Sequence, residues 1–192
     1  MEVIDSIYSH LDKHEFTIGI YLDLQKAFDS VNHTILLKKL YNNEARGKVH
    51  AWFYSYLSNR QHTTLYSGVY SDFEAVTCGV TQGSVLGPLL FLIYINDTQY
   101  AVTEAKVKLF ADDTNLFLYG NSLSELETTA NNYLKQLTHW MTVKLCINID
   151  KTCYSVFGPK NKMIKEIKLF LNNIMIKNAA CSKYLGVMVF SC

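Results

Sequence analysis

Two adjacent aspartates, Asp112 and Asp113, interrupt an apolar stretch that runs from Val107 to Phe117. Apolar residues on both sides predict two β-strands that meet at a turn. That turn would hold two like charges, which is unfavourable unless a cation neutralises them. On its own, an Asp-Asp pair is more common in ordinary turns and helix caps, so it indicates a metal site only together with a further ligand.

Asp23 is the candidate for that further ligand. It ends a second, nearly continuous apolar run that begins at Phe16, which is typical of a strand buried in the middle of a sheet. If this strand lies beside the hairpin, three carboxylates converge. Hard oxygen ligands of this kind suit a divalent metal ion that assists phosphoryl transfer. The sequence therefore predicts a metal-dependent phosphoryl-transfer centre.

The distribution of charge separates two parts of the chain. The 192 residues are 49% hydrophobic and 18% charged, which is typical of a folded protein with one sizeable core. Residues 1–134 hold nine Lys and Arg against fifteen Asp and Glu, whereas residues 135–192 hold nine lysines against two acids. An acidic part suits metal ions and a basic part suits a polyanion. A solvated lysine-rich surface explains the basic part equally well.

No segment of the sequence predicts secretion or insertion into a membrane. The first residues lack the pattern of a signal peptide, and the longest apolar run, 85–95, is too short to cross a bilayer. Five cysteines without a C-x-x-C pair favour a reducing compartment over a disulfide framework. We expect an intracellular protein, in the nucleus, the cytoplasm or both.

The periodicity of apolar residues predicts alternating helices and strands. The predicted helices cover 1–13, 32–41 (beginning at Ser30 or Asn32), 46–57, 86–94 and 122–141. The predicted strands cover 16–23, 61–67, 73–77, 152–157, 168–171, 174–177 and 184–189, besides the two that flank Asp112. The strands over 61–67 and 73–77 are predicted to form a short hairpin that turns at Ser67-Gly68. This order predicts an α+β fold with a mainly antiparallel sheet of the split βαβ (ferredoxin-like) type, backed by helices. The aromatic cluster Trp52, Phe53, Tyr54 and Tyr56 is expected to pack into the core, with stacking on bases as the alternative.

Five sequence blocks resemble the motifs of the reverse transcriptase palm, in the order in which that family carries them. The blocks are Asp23 to Ser30, Gln82 to Phe91, Phe110 to Asp113, Trp140 to Thr152 and Lys183 to Val187. Two sequence segments are similar to those of the non-LTR (LINE-type) retrotransposon branch. They read Ala-Phe-Asp-Ser-Val-Asn-His and Gln-Gly-Ser-Val-Leu-Gly-Pro-Leu-Leu-Phe. The resemblance implies a polymerase palm with part of the fingers, and the activity of an RNA-directed DNA polymerase.

The resemblance also implies which residues hold metal. Asp23 and Asp112 would be catalytic ligands that bridge two Mg²⁺ ions, Asp113 would support them, and the Leu24 carbonyl would contribute a further oxygen. Mn²⁺ is the alternative ion. These assignments follow from the resemblance and not from the spacing of the residues.

Contacts to the substrates follow from the same resemblance. Phe28 lies where the family places an aromatic ring beneath the incoming sugar, where a 2′-hydroxyl would collide with it; a core phenylalanine is the alternative. Gln82 and Gly83 correspond to the motif that lies against the nascent base pair. Lys151 corresponds to a lysine near the triphosphate, although an ordinary surface lysine would look the same.

The last block resembles the hairpin that grips the primer. Its residues are Lys183, Tyr184, Leu185 and Gly186, and a plain buried strand is the alternative. The implied partners are an RNA template, a DNA primer and deoxynucleoside triphosphates, without a membrane. We expect one reverse transcriptase domain over residues 1–192. In this expectation the N-terminal part of the fingers, the thumb and an endonuclease domain belong to a longer polyprotein.

Two further interpretations stay open. A catalytically incomplete remnant would fold and bind nucleic acid weakly without turnover, because phosphate contacts supply much of the affinity for nucleic acid. A group II intron maturase would carry similar blocks. A nucleotide cyclase, which also uses two metal ions on a palm, is not supported by the Gln82-Gly83 and Lys183 to Gly186 blocks.

Overall fold

The computed structural model describes residues 2–100, 102, 106–110, 113–142, 145–159, 162, 164–179, 181–184 and 187–190. Side chains are described for these residues except 2, 99, 106, 110, 113, 142, 181–184 and 187–190. Within that part of the chain, no helix has the length and apolar character needed to cross a membrane.

Helices and short strands alternate along the chain. The helices are α1 (Glu2–Asp12), α2 (His33–Asn42), α3 (Gly47–Leu57), α4 (Leu86–Ile95) and α5 (Leu123–Thr142), with a 3₁₀ turn at Asn96–Tyr100. The first eight strands are β1 (Phe16–Leu22), β2 (Leu24–Gln25), β3 (Gln61–His62), β4 (Leu65–Tyr66), β5 (Val69–Tyr70), β6 (Glu74–Ala75), β7 (Lys106–Phe110) and β8 (Asp113–Gly120). The others are β9 (Cys146–Ile147), β10 (Cys153–Phe157), β11 (Phe170–Leu171), β12 (Ile174–Met175), β13 (Lys177–Asn178), β14 (Cys181–Tyr184) and β15 (Val187–Phe190).

The contacts divide the chain into two compact units. Unit 1 comprises Met1–Gln25 and Thr98–Cys192, and unit 2 comprises Lys26–Asp97. The chain therefore enters unit 1, leaves it after β2 for unit 2, and returns to unit 1 for β7 and the remaining strands.

A five-stranded sheet in the order β13-β10-β1-β8-β7 forms the centre of unit 1. Strand β1 is central and all of its residues are buried, as its continuous apolar sequence predicts. Tyr21 and Phe117 belong to a buried cluster that α1 joins through Val3 and Ile7. Gly120 points to the opposite face from Phe117, because side chains alternate along a strand, and a Cβ there would lie 3.2 Å from Leu126 of α5. Helices therefore cover both faces of the sheet.

Unit 2 consists of α2, α3, α4 and a hairpin arm. The side chain of Asn32 caps α2 by accepting from the Ile35 N–H at 3.1 Å, as its position before the helix predicts. Helix α2 packs on α4, and Lys39 fixes the end of α4 by donating to the Tyr94 carbonyl and pairing with Asp97. The arm pairs β3 with β6 and β4 with β5.

The turn of this arm confirms the hairpin predicted over residues 61–77. Ser67 and Gly68 are its two central residues and have φ of 50° and 81°. Two positive φ values in a two-residue turn match the right-handed twist of the strands on either side. The predicted hairpin is thus present, although it is split into four two-residue strands.

One expectation about packing is wrong. The aromatic residues of α3 were expected to enter the core, yet the Trp52 side chain is 52% exposed and the Tyr54 side chain 59% exposed. Leu57 is the buried residue of this helix. The aromatic spacing is therefore compatible with a largely solvent-facing helix, because apolar character alone does not specify which helix face is covered.

Candidate active site

Asp23 directly follows the last residue of the central strand β1, at the break between β1 and β2, and is partly exposed. Strand β1 pairs antiparallel with β8, and Leu22 is the partner of Thr114 at the end of the ladder. Asp23 follows Leu22 and Asp113 precedes Thr114, so both residues lie at the same end of this ladder. The fold therefore brings the backbones of two of the three predicted ligand residues to one end of a strand pair.

Asp113 begins β8, and its backbone pairs with Phe110, which ends β7. The predicted hairpin is thus confirmed. Asp112 lies outside the described residues, as does the side chain of Asp113. Among the side chains that the structure does describe, no three of His, Cys, Asp or Glu are grouped closely enough to hold a metal ion.

A turn at residues 148–152 fixes the backbone of Asp23. The Asp23 N–H donates to Thr152 Oγ1 at 3.3 Å, and the Asp23 carbonyl accepts from the Asn148 N–H at 2.8 Å. The Thr152 hydroxyl in turn donates to the Asn148 carbonyl at 2.8 Å. Thr152 is fully buried, so these bonds exchange poorly with water. The acceptor role of Thr152 was missed by sequence reasoning; its only signal is its position directly after the motif lysine.

Leu24 and Lys151 also lie next to these hydrogen bonds between Asp23 and the turn at residues 148–152. Leu24 is in β2, which pairs with Ile147 of β9, and its side chain is buried. Only its backbone oxygen, and not its side chain, therefore has the chemistry of a metal ligand. Lys151 is exposed and belongs to the 148–152 turn that holds Asp23. Leu24 thus follows Asp23 in the chain and Lys151 lies in the turn that bonds to Asp23, while the roles of both residues stay predictions.

Phe28 is the first predicted substrate-contacting residue of unit 2. Its ring stacks on Phe91 of α4 with the centroids 4.8 Å apart and 26° between the planes. Phe91 is fully buried, whereas Phe28 is partly exposed. The orientation of the Phe28 ring is therefore held from behind by the core while part of the ring stays accessible.

Close backbone contact joins the segment after Phe28 to the segment before Gln82. The Val80 N–H donates to the Phe28 carbonyl at 2.8 Å, and the Gly79 N–H donates to the Val31 carbonyl at 2.7 Å. Gly79 has φ of 90°, and a Cβ on it would lie 2.9 Å from the Asp29 backbone. Glycine is therefore required at this position for both conformation and space. Sequence reasoning did not single out Gly79, because nothing local marks a contact with residues fifty positions earlier.

Gln82 and Gly83 form an exposed loop ahead of α4. Gly83 has φ of 78°, so its backbone conformation favours glycine, and a Cβ added there would meet no atom of the described residues within 4 Å beyond its chain neighbours. Behind the loop, Ser84 Oγ accepts from the Gly87 N–H at 2.9 Å and caps the start of α4. The Gln82 side chain of the loop donates to Asp29 Oδ1 at 3.5 Å.

The predicted primer-grip block forms a hairpin in unit 1. Lys183 and Tyr184 are in β14, which pairs with β15, and Tyr184 is the partner of Val187. Leu185 and Gly186 lie outside the described residues, and the side chains of Lys183 and Tyr184 are not described. The hairpin prediction is thus confirmed for the backbone, whereas the single strand predicted over 184–189 is wrong, because Tyr184 and Val187 belong to two antiparallel strands. Contact with a primer stays a prediction.

Comparison with known proteins identifies the class of this fold and site. The family model described as "Reverse transcriptase (RNA-dependent DNA polymerase)" matches residues 3–189. The chain therefore belongs to the reverse transcriptase family, whose members generally use divalent metal ions and act on nucleic acids and nucleotides.

Curated relatives come from insect mobile elements. The chain is 28% identical to the RNA-directed DNA polymerase from mobile element jockey of Drosophila melanogaster, in an alignment that covers 96% of this chain and 21% of the relative. It is 29% identical to the probable RNA-directed DNA polymerase from transposon BS of the same species, over 94% of this chain and 21% of the relative. The predicted resemblance to non-LTR retrotransposon reverse transcriptases is confirmed. The chain spans about a fifth of the length of these relatives.

Solved structures support the fold. Apo telomerase from Candida tropicalis, truncated from its C-terminal domain, superposes with a TM-score of 0.64 at 14% identity, covering 98% of this chain and 38% of the telomerase chain. At this identity the likeness concerns the fold alone. The predicted α+β polymerase palm with part of the fingers is confirmed.

Proposed function

We propose that this chain carries the polymerising centre of an RNA-directed DNA polymerase. It would add deoxynucleotides to a primer 3′-hydroxyl on an RNA template, as one step of retrotransposition. The observation that supports the proposal is the β1–β8 register: its last pair is Leu22 with Thr114, and Asp23 and Asp113 are the next residues of the chain at that end of the ladder. Family membership supports the reaction type.

The donor chemistry of these residues fits a pair of Mg²⁺ ions. Hard oxygen ligands would come from the carboxylates of Asp23, Asp112 and Asp113 and from the Leu24 carbonyl. Mn²⁺ would suit the same ligands. Bound divalent ions lower the barrier to nucleotidyl transfer by stabilising the attacking and departing oxygens. The chain's own contribution is to hold the ligands in place, which the Thr152 and Asn148 hydrogen bonds to the Asp23 backbone support.

Other residues would bind and orient the substrates in this proposal. Phe28 would present its ring to the sugar, and the backbone at Gln82 and Gly83 would lie against the nascent base pair. Lys151 would offer its ammonium to the triphosphate and could protonate the departing pyrophosphate. The β14–β15 hairpin, with Lys183 to Gly186, would position the primer end.

The decisive experiment is primer extension on poly(rA)/oligo(dT) with Mg²⁺. Purified protein should extend the primer, and Asp112→Asn and Asp23→Asn should each reduce incorporation to background, because each removes a charged ligand. Asp72→Asn is the matched control, since Asp72 is an exposed aspartate of the hairpin arm in unit 2. Circular dichroism and urea unfolding should show that all three variants stay folded.

Gel-shift binding to the same template and primer separates the proposal from its alternative. Binding without extension would be repeated after fusion to the fingers and thumb of a related enzyme. If the fusion still binds without extending the primer, the chain is a remnant without turnover and the proposal is wrong. Full activity of Asp112→Asn would remove the metal-site assignment.

A further inference from the structure

Arg60 of unit 2 is tied to the segment that leads into the Gln82-Gly83 loop. It follows α3 and lies just ahead of β3. Its Nη2 donates to the Thr81 hydroxyl oxygen, and its own carbonyl accepts from the Val76 N–H at 2.8 Å. Both the backbone and the side chain of Arg60 therefore bind the strand and turn that precede the loop.

An aromatic stack holds the Arg60 side chain in place. The guanidinium carbon lies 5.6 Å from the centroid of the Tyr56 ring, within the range of a cation–π contact. Tyr56 in turn stacks on Trp52, with centroids 5.4 Å apart and 11° between the rings. The planar guanidinium is therefore oriented before any ligand binds, which reduces the side-chain entropy that a hydrogen bond to Thr81 costs.

Thr81 is one end of the exposed loop and Ser84 is the other. The Thr81 carbonyl accepts from Ser84 Oγ at 2.7 Å, and Ser84 Oγ accepts from the Gly87 N–H at 2.9 Å. A Cβ on Gly87 would lie 2.5 Å from the Thr81 oxygen, so α4 and Thr81 are in close contact. Ser84 is thus fixed to the helix, whereas the Thr81 side chain is fixed by Arg60.

We propose that Arg60 is a positioning residue for the Gln82-Gly83 loop, and this inference rests on the proposed role of that loop in contacting the nucleotide. The Tyr56 ring orients the guanidinium, the guanidinium holds the Thr81 hydroxyl, and Thr81 sets the conformation from which Gln82 and Gly83 meet the substrate. Arg60 also lines an open cavity of about 420 Å³ with Asp29 and His62. Direct contact of Arg60 with a substrate phosphate is therefore the competing explanation.

A double-mutant cycle distinguishes the two explanations. Arg60→Gln removes the cation, Thr81→Val removes the hydroxyl, and the third variant carries both changes. If Arg60 acts through Thr81, each single variant should raise the KM for deoxynucleotide about tenfold with kcat little changed, and the double variant should be no worse than either. Arg46→Gln and Thr77→Val are controls, since Arg46 also lies over a tyrosine ring and Thr77 is also exposed, but neither contacts the loop.

Amide hydrogen exchange provides a readout that does not require polymerisation. The N–H groups of Val80, Ser84 and Gly87 donate hydrogen bonds, and the Ser84 amide should exchange faster in Arg60→Gln and in Thr81→Val, to the same extent. Equal, non-additive changes support the proposal. An effect of Arg60→Gln that Thr81→Val does not share, or additive effects in the double variant, overturn it. If no variant and no wild type incorporates nucleotide, the proposed function fails, while hydrogen exchange still decides the role of Arg60.

Discussion

The backbone N–H of Asp23 donates to the hydroxyl oxygen of Thr152, which lies 129 residues further along the chain. Asp23 is thus held from one side by the β1–β8 ladder and from the other by the turn that begins β10. The position of the carboxylate therefore depends on a neutral residue that has no chemistry of its own. Substitution of Thr152 therefore tests whether this hydrogen bond holds Asp23 in place.

Thr152→Val should lower both the stability and the activity of the protein. Valine has the shape of threonine but leaves the Asp23 N–H without its acceptor, while the Asn148 carbonyl keeps the Thr152 N–H at 3.0 Å and loses only the hydroxyl. We expect the free energy of unfolding to fall by about 1–3 kcal/mol. We also expect primer extension to fall at saturating nucleotide, because Asp23 would no longer be held. Urea unfolding and single-nucleotide incorporation measure the two effects.

Two variants control this prediction. Thr152→Ser keeps the hydroxyl and should retain most of the activity. Thr128→Val makes the same chemical change on the exposed side of α5, where the hydroxyl donates to the Ser124 carbonyl at 3.0 Å, and should change stability by no more than about 0.5 kcal/mol. Wild-type stability and activity in Thr152→Val would show that the hydrogen bond is dispensable.

That Asp23 and Asp113 lie at the same end of two paired strands could be predicted from the sequence. The continuous apolar character of Phe16 to Leu22 identifies a central strand, and the Asp112-Asp113 turn identifies a hairpin. Asp23 and Asp113 lie at the same end of the β1–β8 ladder because Asp23 follows β1 and Asp113 begins β8. The Asn32 cap and the Ser67-Gly68 turn were predictable for a similar reason, since both depend on local backbone chemistry.

Contacts between distant segments could not be predicted. The pairing of β2 with β9 involves two residues on each side, too few for a periodic pattern, and β13 pairs parallel to β10 although the sheet is otherwise antiparallel. The exposure of Trp52 was missed because an aromatic cluster on a helix is compatible with either face. Thr152 and Gly79 act through neighbours that only the tertiary fold supplies.

Gly79→Ala should be far more destabilising than Gly68→Ala, although both glycines have a similar positive φ. Gly79 has φ of 90° and its added Cβ would lie 2.9 Å from the Asp29 backbone, whereas Gly68 has φ of 81° with nothing within 4 Å. Gly68→Ala should cost about 1 kcal/mol from backbone strain alone, and Gly79→Ala about 3 kcal/mol or more. Urea unfolding of the two variants isolates the steric contribution. Equal losses would mean that Asp29 can move away without cost.

Tyr154→Phe should change how stability depends on alkaline pH. Burial raises the pKa of Tyr154 above its ordinary value, and the carboxylates of Glu166 and Glu127 raise it further. Above about pH 10 the unfolded chain loses this proton before the folded protein does, so stability falls as pH rises. At neutral pH the variant should lose about 1 kcal/mol, because the Tyr154 hydroxyl donates to the Ile167 carbonyl.

The measurement is the difference in unfolding free energy between wild type and Tyr154→Phe from pH 7 to pH 11. The advantage of the wild type should shrink above about pH 10. Leu169→Ala is the control, because it truncates a fully buried residue that does not titrate and should lower stability equally at every pH. A constant difference between wild type and Tyr154→Phe would contradict a raised pKa.

Phe28→Val should relax the discrimination between deoxynucleotides and ribonucleotides. The stack on Phe91 holds the Phe28 ring in one orientation, so the ring can exclude a 2′-hydroxyl only while both partners are present. Valine is shorter and should raise ribonucleotide use relative to deoxynucleotide use by about tenfold or more. Single-nucleotide incorporation with matched rNTP and dNTP gives this ratio, which cancels any general loss of activity from weaker packing.

Phe73→Val truncates a phenylalanine that is 70% exposed on the hairpin arm and should leave the ratio unchanged. An unchanged ratio in Phe28→Val would assign Phe28 to packing against α4 and leave sugar selection to other residues.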